Sequence, residues 1–166
     1  MKILVMSDTH GKAGICLDIV EKNMADIDLF VHLGDGRKEF TEIMDMYGLK
    51  SISVMGNCDY GYGPMEEKFN AENFTINACH GHSYGVSITK ETYLKHIEGN
   101  ADIGLFGHSH VAHFQKVGNT YLINPGSAAK SRYGENSYCI LTLNGSYLKV
   151  NFYSSNTFLP IEIENL

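Results

Sequence analysis

Three short apolar runs, each stopped by a glycine or a small polar turn, constrain the fold of this chain more than any other feature. Lys2 to Met6 reads KILVM and ends at Ser7-Asp8. Asp28 to Leu33 reads DLFVHL and ends at Gly34-Asp35-Gly36, and Ser51 to Met55 reads SISVM and ends at Gly56-Asn57. Continuous apolar runs of this length are expected of strands covered on both faces. Between them, residues 13–24 space Ile15, Ile19, Val20 and Met24 at helical intervals, and Lys38 to Tyr47 sets Phe40, Ile43, Met44 and Tyr47 in the same rhythm. This alternation predicts β-α-β units and a largely parallel sheet.

The second half has a different character. An irregular loop (YGYGP, 60–64) leads into two strands within 66–79, the second alternating Phe74, Ile76 and Ala78 inward. Thr89 to Gly99 reads as a helix with Thr89 as N-cap, and Ala101 to Phe106 as a strand. Strands follow at 112–117 and 120–123 about a Gly118-Asn119 turn. Ser137 to Leu143 and Ser146 to Tyr153 flank Asn144-Gly145, a strong hairpin signal. No repeat, low-complexity tract or linker interrupts the chain. Residues 1–166 therefore read as one α/β domain with a β-rich second half.

Composition excludes several classes. Hydrophobic residues make up 43%, enough for a core without disulfides. No apolar run approaches the ~20 residues that span a membrane. Lys+Arg numbers 13 against 19 Asp+Glu, a net charge of −6, which argues against nucleic acid as a partner because such affinity is drawn from cations on phosphates. Cys16, Cys58, Cys79 and Cys139 are scattered with no C-x-x-C pair, as expected of reduced thiols. Met1 to Met6 is too short for the apolar region of a signal peptide, so the cytoplasm is the expected compartment.

Histidine is in excess: eight in all, six of them between His80 and His113. The metal-capable side chains fall at strand ends. Asp8 and His10 follow the first strand, Asp35 the second and Asn57 the third. His80 follows the strand ending at Cys79, and His108 and His110 follow the one ending at Phe106. The carboxyl edge of an open α/β sheet is where ligands bind. Seven oxygen and nitrogen donors are too many for one ion and suit two divalent ions sharing a bridging carboxylate, for which glycine-flanked Asp35 is placed. Imidazole with carboxylate favours manganese, iron, zinc or nickel over calcium and magnesium. Two such ions ~3.5–4 Å apart hold a bridging water, lower its pKa and clamp phosphoryl oxygens. Glycines 11, 34, 56, 81 and 107 let the backbone approach closely.

The ordered set D-x-H, G-D, G-N-x-D, H-G and G-H-x-H resembles the calcineurin-like metallophosphoesterase superfamily. The G-N-C-D variant and Asn124-Pro125-Gly126-Ser127 resemble its small YfcE-like phosphodiesterase branch, over Asp8 to Ser127. The resemblance implies a two-sheet β-sandwich flanked by helices, a four-layer αββα fold. It implies a phosphodiesterase or phosphatase that hydrolyses a small phosphate ester by a metal-bridging hydroxide, with manganese the first expectation. Asp8, His10, Asp35 and His110 would hold the first ion, and Asp35, Asn57, His80 and His108 the second. Asp35, Asn57, Cys58, Asp59 and His82 make the catalytic set, Asp59 orienting its neighbours. Cys58 stands where many members carry a histidine, with His82 as the candidate substitute. Asn57, His82 and Arg132 are the candidate substrate contacts, Arg132 because its planar fork suits phosphate.

Other residues read differently. His32, mid-strand, is expected to be a satisfied core histidine; His96 belongs to a helix surface or C-terminus; His113 is a weaker substrate-contact candidate. A thiolate nucleophile at Cys58 is not expected, since metal-bound hydroxide fills that role. Ten tyrosines on a low-charge chain suit a partner surface or a homo-oligomer, dimer or tetramer. The alternative function is a non-catalytic scaffold of the same fold, as in the small retromer coat subunit of eukaryotes. A nuclease is disfavoured by the charge.

Overall fold

The computed structural model describes residues 1–163. Two mixed sheets lie face to face. The first contains β1 (Lys2–Met6), β2 (Leu29–His32), β3 (Ser51–Ser53), β9 (Ser137–Asn144), β10 (Tyr147–Ser154) and β11 (Pro160–Ile161), in the order β11-β10-β9-β1-β2-β3. The second contains β4 (Glu66–Ala71), β5 (Phe74–Cys79), β6 (Ile103–Leu105), β7 (Ala112–Val117) and β8 (Thr120–Pro125), in the order β4-β5-β6-β8-β7. Helices α1 (Ala13–Asn23) and α2 (Arg37–Tyr47) cover the outer face of the first sheet, and α3 (Glu91–Ile97) that of the second.

The apolar run of β1 needs both faces because each has a partner. Ile3 and Val5 point inward, meeting Ile76, Ile103, Leu105 and Ile123 of the opposite sheet. Leu4 and Met6 point outward against Cys16, Ile19 and Val20 of α1 and Phe40 and Met44 of α2. Tyr93 and Ile97 of α3 pack on Cys79, Phe106 and Leu122. The result is the expected four-layer αββα sandwich, its core between the sheets.

The largely parallel sheet requires correction. β1, β2 and β3 run parallel, as do β5, β6 and β8, but β9 joins β1 antiparallel and each sheet carries antiparallel edges. The hairpin of the second half returns to the first sheet and pairs with its oldest strand, a long-range choice that no local pattern encodes. Boundaries shift by small steps. β3 stops at Ser53 because the chain must turn into the Gly56 loop, although the Val54 N–H still bonds the His32 carbonyl at 3.1 Å. α3 starts at Glu91, two residues after Thr89, whose hydroxyl accepts the Glu91 N–H at 3.2 Å. The hairpin turn falls on Gly145-Ser146, one residue late. β11 was not foreseen; two residues carry no period. Among the described residues, no helix is long and apolar enough to cross a membrane.

Candidate metal centre

The loops after β1, β2, β3, β5 and β6 meet at one end of the sandwich, and they bring the acidic and imidazole side chains together. Among the described residues seven non-glycine residues have positive φ, and five are Asp8, His10, Asp35, His108 and His110, with φ between 46 and 63°. Asp and His tolerate the left-handed region better than most residues, yet each such conformation still costs ~1–3 kcal/mol. The turn it makes swings the side chain off the strand end into the shared edge.

Three donor clusters result, each with ligand atoms within 4.8 Å of one another: Asp8, His10 and His110; His10, Asp35 and Cys58; and Asp8, Asp35 and His80. Asp8, Asp35, His80 and His110 are buried, His10 is half-buried and Cys58 is exposed. Close approach needs glycine at Gly56, where an added Cβ would lie 2.1 Å from Asp35 Oδ1. It needs glycine again at Gly107, where a Cβ would lie 2.1 Å from Ser7 Oγ.

Two histidines show what the pocket is built to accept. His80 sets Nδ1 2.6 Å from the Leu33 carbonyl, and His110 sets Nδ1 2.7 Å from the Lys130 carbonyl. A ring nitrogen facing a carbonyl carries the proton, so in the neutral ring Nε2 presents a lone pair. That Nε2 lies 3.5 Å from Asp35 Oδ2 and 3.2 Å from Asn57 Oδ1 for His80, and 3.1 Å from Asp8 Oδ1 for His110. His10 Nε2 joins them 3.1 Å from His110 Nε2 and 3.9 Å from both Asp8 Oδ1 and Asp35 Oδ2. In that neutral tautomer the His80 and His110 lone pairs face carboxylate oxygens, and among the described residues buried Asp8 Oδ1 is left without a donor; protonated, the same two rings would instead donate to Asp35 and Asp8. A divalent cation satisfies such a set, and the mixture of imidazole and carboxylate fits one.

Electrostatics agree. Burial alone would push the His80 pKa down, but the Asp35 hydrogen bond and the charges of Asp8 and Asp35 raise it. The Asp8 hydrogen bond raises that of His110 against burial. Burial would raise Asp35, but hydrogen bonds from His80 and the Cys58 N–H hold it far below the usual carboxylate range. The pocket draws positive charge.

The remaining candidates take several positions. Asn57 reaches His80 through its amide oxygen. His108 lies outside the three clusters; its ring packs edge-on against His80 with centroids 5.1 Å apart, and its N–H bonds Asp8 Oδ2 at 3.2 Å. His82 sits in a 3-10 turn (His82–Tyr84), its ring centroid 5.4 Å from that of His80; burial and the neighbouring His80 lower its pKa. Arg132 is exposed at the rim, its N–H bonded to the His110 carbonyl at 3.1 Å. Cys58 gives its N–H to Asp35 Oδ1 at 2.7 Å, and burial followed by the Asp35 hydrogen bond raises its thiol pKa. Asp59 accepts four backbone N–H groups: Asp35 and Gly56 on Oδ2, Gly36 and Arg37 on Oδ1, all at 2.8–2.9 Å. It clips the second loop to the third.

His113 does not join the cluster. It is buried beside Phe106, with ring centroids 6.1 Å apart, because its place on β7 turns it toward the α3 layer. His96 pairs with Glu66 at 3.0 Å. His32 is fully buried between the Thr9 hydroxyl and the Gly34 N–H, both at 3.1 Å, and burial lowers its pKa to about 4. Sequence reasoning passed over the supports. Ser7 Oγ bonds Asp8 Oδ2 at 2.6 Å, Ser127 Oγ bonds the Asp8 carbonyl at 2.8 Å, and Asn124 holds the Gly107 carbonyl at 2.9 Å. Asn124 and Ser127 lie in the noted N-P-G-S motif, which could have pointed to them; Ser7 had no such signal.

A sandwich of two mixed sheets with carboxylates and histidines converging on its loop end is the frame of a divalent-metal site. The model of the calcineurin-like phosphoesterase superfamily domain matches residues 1–146, and the chain belongs to that family. It is similar to a probable metallophosphoesterase, YsnB, of Bacillus subtilis, 34% identical over 92% of this chain and 90% of that protein. A Vps29 from Entamoeba histolytica, solved with zinc, superposes with a TM-score of 0.80 at 27% identity, covering 97% of this chain and 96% of that one. The Escherichia coli phosphoesterase YfcE shares the fold with a TM-score of 0.75 at 21% identity, over 98% and 97% of the two chains. Membership implies metal-dependent phosphoester hydrolysis.

Proposed function

We propose that residues 1–166 form a single-domain phosphodiesterase that hydrolyses a small phosphate ester at a dinuclear metal centre, in the cytoplasm and as a homo-oligomer. The observation that carries this reading is the convergence of His80 Nε2 and His110 Nε2 on the Asp35 and Asp8 oxygens after both Nδ1 atoms are committed to backbone carbonyls. Asp8, His10, Asp35 and His110 would hold one ion and Asp35, Asn57, His80 and His108 the other, with manganese favoured over iron, zinc or nickel. Two divalent ions there would acidify a water and polarise the phosphoryl oxygens.

The chain's own groups do the rest. The Cys58 N–H and the Asp59 clip fix the Asp35 loop. A thiol whose pKa is raised stays protonated at neutral pH, so Cys58 is no nucleophile. His82, with its pKa lowered, is neutral there and serves the leaving oxygen as a hydrogen-bond donor rather than as a cation. Arg132 is at the rim to meet a phosphate oxygen.

The test is turnover of bis(p-nitrophenyl) phosphate by metal-stripped protein with and without added Mn²⁺. Stimulation in the wild type and its loss in Asp35→Asn are expected. Unstimulated protein indistinguishable from the variant refutes the reading. The likeness to Vps29 supports the scaffold alternative, which predicts a stoichiometric protein partner and no turnover.

A further inference from the structure

We infer that the cleft running from the donor cluster to Tyr60 is a second subsite that takes a planar aromatic arm of the phosphodiester, of the nucleobase class, with the Tyr60 ring as its stacking platform. This rests on the phosphodiesterase reading above and names its substrate class.

A cleft of about 500 Å³ starts at His10, Asp35 and Cys58 and extends to Arg37, Lys38 and Tyr60. That space exceeds the need of a phosphate alone and falls within the range of ligand pockets, ~300–1,000 Å³. Aromatic side chains such as Tyr93, Tyr138, Phe30, Phe40 and Phe106 are sealed in the core, whereas Tyr60, which lines the cleft, is 99% exposed. Its backbone is nonetheless anchored, because Asp59 directly before it is held by four N–H groups. With the loop held at Asp59, covering the ring with a flat group need order only the two torsions of the Tyr60 side chain.

Arg37 lies along the same cleft. Its Nη1 donates to the Tyr62 carbonyl at 3.5 Å, and its Nε is enclosed without a partner among the described residues. Donor groups for a metal-held phosphate at one end, a guanidinium in the middle and a bare aromatic at the other describe a ligand with a charged head and a flat arm.

The experiment compares two esters with the same leaving group, thymidine 5′-(p-nitrophenyl phosphate) and methyl p-nitrophenyl phosphate, on the Mn²⁺-loaded full chain. Base–aromatic stacking predicts a kcat/KM ratio of about 5- to 150-fold in favour of the nucleoside ester. Tyr60→Ala should collapse the ratio toward one through KM. Tyr60→Phe, which keeps the ring, and Tyr62→Ala, outside the cleft, should preserve it. Equal wild-type rates, a ratio untouched by Tyr60→Ala, or the same loss in Tyr62→Ala overturns the inference. Binding is read separately, by the shift of the Tyr60 ring resonances on adding thymidine 5′-phosphate but not inorganic phosphate. Absence of turnover with a retained ring shift sinks the hydrolase reading and leaves the subsite standing. Ring resonances that do not move sink the subsite.

Discussion

An Asp59→Asn substitution exchanges one carboxylate oxygen for an amide group of nearly equal size, so its cost is set by hydrogen bonding rather than packing. Oδ1 accepts the Gly36 and Arg37 N–H groups, and Oδ2 those of Asp35 and Gly56. An asparagine retains one oxygen, and in either rotamer its NH₂ faces two backbone donors. Hydrogen bonds to a charged group contribute ~1.5–3 kcal/mol each. Two are lost here, but Asp59 is half-buried and water reaches part of the gap, so the expected destabilisation is about 3 kcal/mol. For a chain of 166 residues that lowers Tm by roughly 6–12 °C. The pH dependence carries a sign. Burial would raise the Asp59 pKa, but the four N–H bonds lower it overall. A depressed carboxyl stabilises above its unfolded value of ~3.9 and loses that contribution as pH falls through the folded one. Urea and thermal denaturation followed by circular dichroism should therefore show the gap between wild type and variant at pH 7 and pH 5 and its closure in stronger acid. A variant within about 1 °C of wild type at pH 7, or a gap that persists undiminished in acid, refutes the reasoning.

Three further outcomes are expected. Gly56→Ala puts a methyl 2.1 Å from Asp35 Oδ1 and 2.4 Å from the Asp35 N, which cannot retreat; a loss of ~1–3 kcal/mol and collapse of turnover should follow, and a stable, active variant contradicts it. Chelator-treated protein should gain about 2.7 kcal/mol on adding Mn²⁺ at ~100 times its Kd, read as a rise in Tm, and Asp35→Asn should gain far less; equal rises in both count against Asp35 as a ligand. His32, with its folded pKa lowered from 6.5 to about 4, stabilises fully above 6.5 and loses that contribution as pH falls toward 4. The wild-type stability curve should therefore fall more steeply than that of His32→Phe over this window, by up to ~1.4 kcal/mol per pH unit, and parallel curves refute it.

What the sequence disclosed and what it hid have separate physical causes. β1 was legible because two packed faces demand an unbroken apolar run, and its ends because Ser7-Asp8 cannot continue that burial. The Asp35 loop was legible because glycines flank it. The antiparallel junction of β9 with β1 was hidden, since Val5 and Cys139 are paired across 133 intervening positions that carry no local record of it. The position of His113 was hidden because one step along a strand inverts the face, and its register opposite Asn124 sets its ring beside Phe106. The cluster of Cys58 with His10 and Asp35 was likewise beyond spacing arguments, because it depends on how two loops are clipped together by Asp59.

The left-handed ligand-bearing turns explain why the site could be read at all. Asp and His are among the few residues that accept this backbone and also bind cations, so the demands of the turn and of the chemistry select the same letters. The accumulated strain of five such residues, at ~1–3 kcal/mol each, requires compensation within the loops themselves. It is found in bonds from loop to loop: the Asp8 N–H to the Gly34 carbonyl at 3.0 Å, the His10 N–H to the Asp35 carbonyl at 2.8 Å, and the Gly107 N–H to the His80 carbonyl at 3.0 Å. Each connects the backbone of one donor-bearing turn to that of another, so no turn can relax alone. The donor set is thus organised by the backbone before any ion binds, and an ion entering it need not supply the energy to assemble its own ligands.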